Sequence, residues 1–237
     1  MPSQNFAFRA LNIPPSSDLP QHKDSFTLTA FPNTNLWRRP GQADTSTAPI
    51  LFTTLYRPFL VAEVTINADW DIEMDQGGLV IFAGQEPSVN SGIASTCKWV
   101  KAGIEFNDGM VNLSSVTATS EGADSSLTPL PIPTRGTTTT MLRIKLQRNN
   151  DSLSVWYQDP TNIPYDSSPQ AVSNTWRKVR EVTWFFHGVE DKNVHVGVYA
   201  GRPAARALNW ENSYSPQLVS SQPDALVVQF EDFEILC

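Results

Sequence analysis

Hydrophobic and polar residues alternate along much of this chain with the period of two that a β-strand imposes. Residues 98–106, with the sequence KWVKAGIEF, show the pattern best. One face of the predicted strand carries Val100, Ala102, Ile104 and Phe106. The other face carries Trp99, Lys101, Gly103 and Glu105. The first set is typical of a core face, and the second predicts the floor of a binding pocket.

Runs rich in β-branched and aromatic residues recur at close spacing, and no segment shows a sustained helical period. Asn107-Asp108-Gly109 and Asn149-Asn150-Asp151 predict hairpin turns between neighbouring runs. Three longer segments, 120–140, 159–175 and 202–224, are predicted loops, and the last carries Trp210 and Tyr214. Residues 38–49, which follow Leu36-Trp37, are also a predicted loop. The predicted strands are 26–30, 59–66, 78–82, 99–106, 111–119, 141–148, 153–157, 179–186, 194–199 and 226–236.

The fold class that follows is an all-β sandwich of two antiparallel sheets in one domain spanning residues 1–237. Eighteen prolines and 12 glycines favour strands and loops over helices. The net charge of −7 provides no basic field for a phosphate backbone, so we expect no nucleic-acid partner. No stretch reaches the ~18 apolar residues of a membrane span, and the N-terminus lacks the pattern of a signal peptide. A soluble, cytoplasmic protein is therefore expected.

Six motifs, taken in their order along the chain, resemble a known family, the domain of unknown function numbered 1349. That family includes the yeast regulator-of-enolase protein and is similar in fold to the concanavalin A-like lectins and glucanases. The resemblance covers about residues 36–236 and implies a jelly roll whose concave sheet holds ligands. The motifs are Thr34-Asn35-Leu36-Trp37, Asp75-Gln76-Gly77-Gly78-Leu79, Lys98 to Glu105, Trp176 to Glu181, Val196 to Ala200 and Phe230-Glu231-Asp232-Phe233.

The chain departs from the family pattern at one place beside the expected ligand face. Where the family tends to carry Ser-Asp-Trp-Ser, this chain has Ala123-Asp124-Ser125-Ser126. The tryptophan is missing, so a ring that packs beside the pocket in relatives is absent here. Retention of a ligand common to the family does not follow from the resemblance.

Lys101 and Glu105 are the candidate catalytic residues. They share a strand face but lie about 13 Å apart at ~3.3 Å per residue, so each needs partners from neighbouring strands. In the functional interpretation Lys101 is a cation or hydrogen-bond donor, and Glu105 is an acceptor or general base. A structural Lys–Glu network on a half-exposed sheet is the alternative, and both stay open. The candidate partners, which would also bind ligand, are Gln76, Arg143, His195 and Tyr199.

Several classes of chemistry are disfavoured by the residues. Glycosidases need two flanking carboxylates, whereas Glu231 and Glu234 point to opposite faces of an extended strand. His22, His187 and His195 show no metal-ligand spacing, so we expect no metal. No phosphate loop, dinucleotide fingerprint or nucleophile elbow occurs, and we expect no cofactor.

Two functional classes fit what remains. A cofactor-independent cyclase, isomerase or lyase would hold a reactive small molecule in one folded conformation. This domain type resembles lectin-like β-sandwich proteins of fungal biosynthetic clusters that steer dehydration and cycloaddition, including hetero-Diels–Alder reactions. The resemblance thus favours a small-molecule cyclase or pericyclase-like enzyme of fungal secondary metabolism.

The alternative is a lectin-like protein that binds a carbohydrate or another small metabolite without catalysis. In that case aromatic rings would stack on the ligand and polar groups would orient it. A third class, a regulatory partner of a metabolic enzyme, is implied only by the one yeast relative. The stacking residues would be Trp37, Trp99 and Tyr199, and the orienting residues Gln76, Lys101 and Glu105.

Overall fold

The alternating pattern is realised as strands throughout the computed structural model, which describes residues 7–14, 24–88, 93, 96–130, 141–160, 163, 168–205 and 224–237. Among these residues a short helix, α1 (Pro169–Ser173), and a 3-10 turn at Asp191–Asn193 interrupt the β-structure. No helix in the described ranges is long and apolar enough to cross a membrane. The strands are β1 (Arg9–Leu11), β2 (Ser25–Ala30), β3 (Leu36–Trp37), β4 (Thr45–Ser46), β5 (Ile50–Thr54), β6 (Val61–Asn67), β7 (Gln76–Ala83), β8 (Lys98–Asn107), β9 (Met110–Thr119), β10 (Gly122–Pro129), β11 (Leu142–Asn149), β12 (Ser152–Gln158), β13 (Arg177–Val182), β14 (Val194–Gly201) and β15 (Leu226–Leu236).

Two antiparallel sheets pack face to face. The seven-stranded front sheet has the order β1-β5-β14-β7-β8-β9-β10, and the six-stranded back sheet has the order β13-β12-β11-β6-β15-β2. Strands β3 and β4 form a separate two-stranded ribbon. This arrangement is the all-β sandwich predicted from the sequence, with its single-domain extent over 1–237 still a prediction.

The main core lies between the two sheets. The face of β8 that carries Val100, Ala102 and Ile104 packs in this core with back-sheet residues such as Ile144 and Phe230. Fully burying one such side chain contributes about 1.5–3 kcal/mol, so this layer supplies most of the fold's stability. The assignment of the apolar face of residues 98–106 is confirmed.

The outer face of the front sheet is also covered. A second cluster there combines sheet residues such as Val80, Phe82 and Trp99 with Leu36 and Ala48 from the chain that crosses over them. Both faces of β7 and β14 are therefore buried along their whole length. In a strand that is buried on both faces, apolar residues form a continuous run in the sequence instead of alternating with polar ones.

Two hairpin turns match their sequence signals. Asp108 and Gly109 have φ values of 53° and 70° between β8 and β9, and Asn150 has a φ of 54° between β11 and β12. Asn, Asp and Gly tolerate this left-handed region at little cost, which is why these residues connect tightly paired strands.

Some sequence predictions are wrong in detail. The predicted loop 120–140 contains β10, a Ser- and Thr-rich strand at the sheet edge whose largely exposed faces give little hydrophobic signal. The loop 159–175 contains α1, and β5 was not predicted. The predicted strand 179–186 ends at Val182, and Phe185 and Phe186 enter the core from the turn that follows. Trp210 and Tyr214 lie outside the described residues.

Candidate functional site

Strand register brings four of the predicted site residues together on the outer face of the front sheet. Gln76 on β7 is opposite Glu105 on β8, and Lys101 is opposite Val80 four residues further along. Tyr199 on β14 is opposite Gly78, which is itself opposite Gly103. We call Gln76, Lys101, Glu105 and Tyr199 the front-face cluster.

Lys101 is the buried centre of this cluster, with only 2% of its surface exposed. Its ammonium donates a hydrogen bond to Oε1 of Gln76 and lies 5.4 Å from the centroid of the Tyr199 ring. The Gln76 amide nitrogen donates to the carbonyl oxygen of Met74 at 3.2 Å and to Oδ1 of Asn35 at 3.4 Å. These donations orient the Gln76 oxygen toward Lys101.

A pair of glycines leaves space for the long Lys101 side chain. A Cβ on Gly103 would lie 1.9 Å from the carbonyl oxygen of Gly77, and one on Gly78 would lie 2.1 Å from that of Ala102. Only glycine permits strands β7 and β8 to approach this closely. Gln76 and Tyr199 lie beside these two glycines. The Lys101 side chain extends over the glycines, so its ammonium reaches both residues.

Burial sets the protonation chemistry of the cluster. It lowers the pKa of Lys101 to about 8, and the charge of Glu105 opposes that change only partly. Burial also raises the pKa of Tyr199, with the Glu105 charge adding to the effect, so the phenol stays neutral. The Tyr199 hydroxyl has no hydrogen-bond partner among the described residues. The cluster thus holds an amine that titrates near neutral pH beside an unpaired phenol.

Glu105 lies at the less buried end of the cluster. Its Oε2 accepts a hydrogen bond from Oγ of Ser114 at 3.0 Å, and its side chain retains some exposed surface. Lys101 donates to Gln76 rather than to Glu105. The two candidate catalytic residues therefore act on each other through charge rather than through a direct hydrogen bond.

The remaining predicted residues of the front sheet are held by other contacts. Trp99 is fully buried, and its Nε1 donates to Oδ2 of Asp44 at 3.2 Å. Trp37 packs against the same apolar cluster and is half-buried. The ring nitrogens of His195 lie 3.0 Å from Oγ1 of Thr54 and 3.2 Å from the carbonyl oxygen of Gly84. Burial is also the main cause that lowers the pKa of His195.

Arg143 does not join the front-face cluster. It lies on β11 of the back sheet, where its Nη2 is 3.1 Å from Oε2 of Glu63 and its guanidinium is 5.8 Å from the Trp176 ring centroid. Strand β11 pairs with β6 and β12, so the expectation that its strand adjoins β8 is wrong. Sequence spacing alone does not reveal which sheet a strand enters.

Of residues 31–49, which we call the cover segment, only Trp37 was predicted to form part of the site. The backbone N–H of Thr34 donates to the carbonyl of Arg202, at the end of β14. Four residues later, Nη1 of Arg38 donates to the carbonyl oxygens of Cys97 and Thr119, both at 2.9 Å. The segment therefore crosses the front sheet from β14 to β9. The cover segment is held in place by contacts with residues that are distant in the sequence, and no local sequence pattern predicts such contacts.

Two tryptophans, Trp156 and Trp184, lie outside both core clusters. Trp156 is half-buried on the outer face of the back sheet, 5.4 Å from the Lys145 ammonium, and Trp184 is 37% exposed in the turn after β13. The sequence does not reveal whether an aromatic side chain in a strand or turn faces the core or the solvent. Both residues are available to roles other than packing.

Ser125 marks the place where the family pattern carries tryptophan. It lies on β10 opposite Val116, which is in turn opposite Lys101, and its side chain is exposed. A tryptophan here would stand on the same sheet face as the front-face cluster, two strands away. Its absence leaves that part of the face without a ring.

Comparison with known proteins is consistent with this architecture. The sequence profile of the family described as "Protein of unknown function (DUF1349)" matches residues 11–236. An uncharacterized protein of Emericella nidulans is 35% identical over 181 residues, which is 76% of this chain and 78% of that protein.

Two solved structures share the fold. A functionally unknown protein from Saccharomyces cerevisiae superposes with a TM-score of 0.61 at 18% identity, over 97% of this chain and 96% of that one. A bifunctional GH43-CE protein of Bacteroides eggerthii gives 0.51 at 14% identity, over 92% of this chain and 22% of that one. The fold is thus a concanavalin A-like jelly roll, as the resemblance implied.

Proposed function

This chain belongs to the DUF1349 family of proteins of unknown function, and from that premise we propose that it is a cofactor-independent enzyme that dehydrates and cyclises a small organic molecule. The observation that supports the proposal is Lys101, a buried amine whose pKa of about 8 lies close to neutral pH. Proton transfer is most effective when the pKa of the catalytic group is near the working pH. The substrate class is a hydroxylated small metabolite of fungal secondary metabolism.

In this mechanism Lys101 is the general acid. Its ammonium donates a proton to the departing hydroxyl group, the C–O bond breaks, and water leaves. Glu105 accepts the proton released from the neighbouring carbon. Both groups return to their starting state by proton exchange with solvent while the cover segment is displaced for product release. The amide oxygen of Gln76 holds the Lys101 ammonium in place before substrate arrives.

Cyclisation of the unsaturated product requires no further reactive group on the protein. A pericyclic step forms its new bonds within the substrate, so the protein contributes by holding one conformation and stabilising charge as it develops. A buried ammonium polarises a carbonyl more strongly than an exposed one because little water screens it. Tyr199 provides a neutral ring and an unpaired hydroxyl beside that ammonium.

Access is the geometric requirement of the proposal. Asn35 in the cover segment contacts Gln76, and Leu36 is buried against the same sheet face. Glu105 is the member of the cluster with exposed surface, so we place substrate entry at its end. Displacement of the cover segment would then admit the substrate to Lys101.

The test compares Lys101→Met with Lys145→Met, its matched control on the back sheet. Each variant is incubated with a panel of hydroxylated small metabolites, and loss of water and product stereochemistry are measured. Removing a general acid lowers kcat about 10²- to 10⁴-fold, whereas Lys145→Met should leave the rate unchanged. Full turnover and selectivity in Lys101→Met would exclude Lys101 from the mechanism.

A non-catalytic metabolite binder is the second candidate, and one observation favours it. Lys101 is sealed from solvent, an arrangement that suits retention of a ligand as well as turnover. A ligand that binds only the folded protein raises its stability as the ligand concentration exceeds the dissociation constant. Thermal stabilisation by a metabolite that is recovered unchanged, and that is lost in Lys101→Met, would support binding over catalysis.

A further inference from the structure

A cavity of about 230 Å³ opens at the edge of the sandwich, away from the front-face cluster. It lies between β9 and β10 of the front sheet and β13 of the back sheet, and none of the four cluster residues lines it. Thr117 and Asp124 are opposite each other in register and face the back sheet, whereas the neighbouring Val116 belongs to the outer-face cluster. The cavity and Lys101 are therefore on opposite sides of the front sheet.

Polar groups line this part of the inner surface of the front sheet. The hydroxyl-bearing residues Thr117 and Thr119 form part of the wall. Arg180 crosses between the sheets, with Nη1 donating to the carbonyl oxygen of Ser115 at 2.9 Å and Nη2 donating to Oδ2 of Asp124 at 2.5 Å. The side chain of Asp124 is mostly exposed, so its carboxylate remains accessible at the cavity mouth.

Trp184 provides a fixed aromatic wall. Lys98 at the start of β8 donates to the carbonyl oxygens of Trp184 at 3.2 Å and His187 at 2.9 Å, which anchors the turn that carries the indole. The Lys98 ammonium also lies 5.9 Å from the indole centroid. An anchored and partly exposed ring of this kind offers a flat apolar surface without the entropy cost of ordering it on binding.

The charges around the cavity balance. Asp124 at the cavity mouth pairs with Arg180. An anion would meet the Asp124 carboxylate, and an apolar ligand would leave the hydroxyl and carboxylate groups unpaired, which costs free energy. A neutral polyhydroxylated ring satisfies both conditions, since its hydroxyl groups pair with Asp124, Arg180 and the threonines while its C–H face packs on the indole.

We infer that this cavity is a carbohydrate site that binds one neutral sugar ring between Trp184 and the Asp124–Arg180 pair. Its volume holds roughly seven water molecules at about 30 Å³ each, and it is smaller than the roughly 300–1,000 Å³ of drug-sized pockets. A single ring or the end of a glycan fits that size. The site stands apart from the proposed reaction at Lys101.

The experiment uses the full chain labelled with 5-fluorotryptophan and followed by fluorine NMR. The seven tryptophans give separate probes, and Trp184→Phe and Trp99→Phe assign the two resonances that matter. Titration with methyl glycosides of neutral hexoses, pentoses and N-acetylhexosamines should shift the Trp184 resonance saturably, with a millimolar dissociation constant for at least one sugar. The Trp99 resonance should not move.

Variants separate direct contacts from general effects. Thr117→Val and Thr119→Val remove a hydroxyl without changing side-chain shape, and Asp124→Asn removes the charge. Each should weaken binding about 5- to 30-fold, the range of one lost hydrogen bond of 1–2 kcal/mol. Tyr56→Ala is the matched aromatic control, because Tyr56 is 86% exposed and does not line the cavity. Two threonine variants keep the test usable if one of them fails to fold.

Three results would overturn the inference. The first is a Trp184 resonance that no neutral sugar shifts. The second is a shift produced by sulfate or acetate and by no glycoside, which would assign the cavity to anions. The third is a sugar-dependent shift of Trp99 alone, which would place carbohydrate at the front face and leave the cavity without a ligand.

Discussion

Two lysines of this protein lie beside aromatic rings on opposite sheets, and their surroundings differ sharply. Lys101 on the front sheet is buried 5.4 Å from the Tyr199 ring centroid, whereas Lys145 on the back sheet is half-buried, 4.0 Å from the Trp176 ring centroid. Burial lowers the pKa of both, to about 8 for Lys101. In both cases burial, rather than the cation–aromatic pair itself, is the main cause that lowers the pKa of the lysine.

Two features of the front sheet produce that burial. The cover segment crosses its outer face, tied down by Arg38. Its strands also contain glycines that bring neighbouring backbones close, whereas the strands of the back sheet, as the structure describes them, contain none. The front-sheet glycines are Gly77, Gly78, Gly103, Gly122, Gly197 and Gly201.

The largest expected effect comes from the ion pair that fixes the cover segment. Arg38 and Asp44 are both buried, with Nε of Arg38 2.6 Å from Oδ1 of Asp44. Arg38→Met leaves the Asp44 charge buried and unpaired, which should lower the free energy of unfolding by about 3–5 kcal/mol. Arg143→Met, at the partly exposed pair with Glu63, should cost about 1 kcal/mol or less. Urea unfolding of both variants measures the difference, and equal losses would show that the cover segment is not fixed by this pair.

The next effect concerns the close approach of β7 and β8. Gly103→Ala places a Cβ against the Gly77 carbonyl and should destabilise the protein by about 3 kcal/mol, the upper end of the range for overpacking. Gly109→Ala is the control, because its Cβ meets nothing within 4 Å and only its φ of 70° is strained, at a cost of about 1 kcal/mol. If the two variants unfold at the same urea concentration, the strands can separate without penalty.

The pH dependence of stability tests the burial of Lys101. Between pH 8 and 10.5 the unfolded chain binds more protons at Lys101 than the folded protein does, so stability rises with pH across that window. At about 1.4 kcal/mol per pKa unit, wild type should gain about 3 kcal/mol over Lys101→Met between those pH values. Below pH 8 the difference between the two proteins should be flat.

Lys145→Met provides the contrast for this measurement. The pKa of Lys145 is also lowered, mainly by burial, but its side chain is only half-buried. The gain of wild type over this variant should have the same sign and be smaller. If wild type gains as much stability over Lys145→Met as over Lys101→Met between pH 8 and 10.5, the surroundings of the two lysines do not differ in burial as the structure shows.

Sequence patterns predicted those features of the two sheets that depend on residues close together in the chain. The alternation in 98–106 placed Lys101 opposite the core, and the turns at Asp108 and Asn150 were read from turn chemistry. The path of the cover segment across the front sheet escaped prediction because Arg38 contacts Cys97 and Thr119, which are 59 and 81 residues away. Arg143 was grouped with Lys101 because alternation identifies a strand face but not the sheet that the strand joins.

The smallest expected effects are the cation–aromatic couplings themselves. Double-mutant cycles on Lys101→Met with Tyr199→Leu, and on Lys145→Met with Trp176→Leu, isolate each pairwise energy at pH 7. Because water is excluded around Lys101, its coupling to Tyr199 should be about 2 kcal/mol, against about 0.5–1 kcal/mol for the half-buried pair. Added salt should weaken the Lys145–Trp176 coupling and leave the Lys101–Tyr199 coupling unchanged, since mobile ions screen exposed charges more than buried ones. If salt weakens both couplings equally, water reaches the Lys101 ammonium, and the physical basis for its proposed role as a general acid is lost.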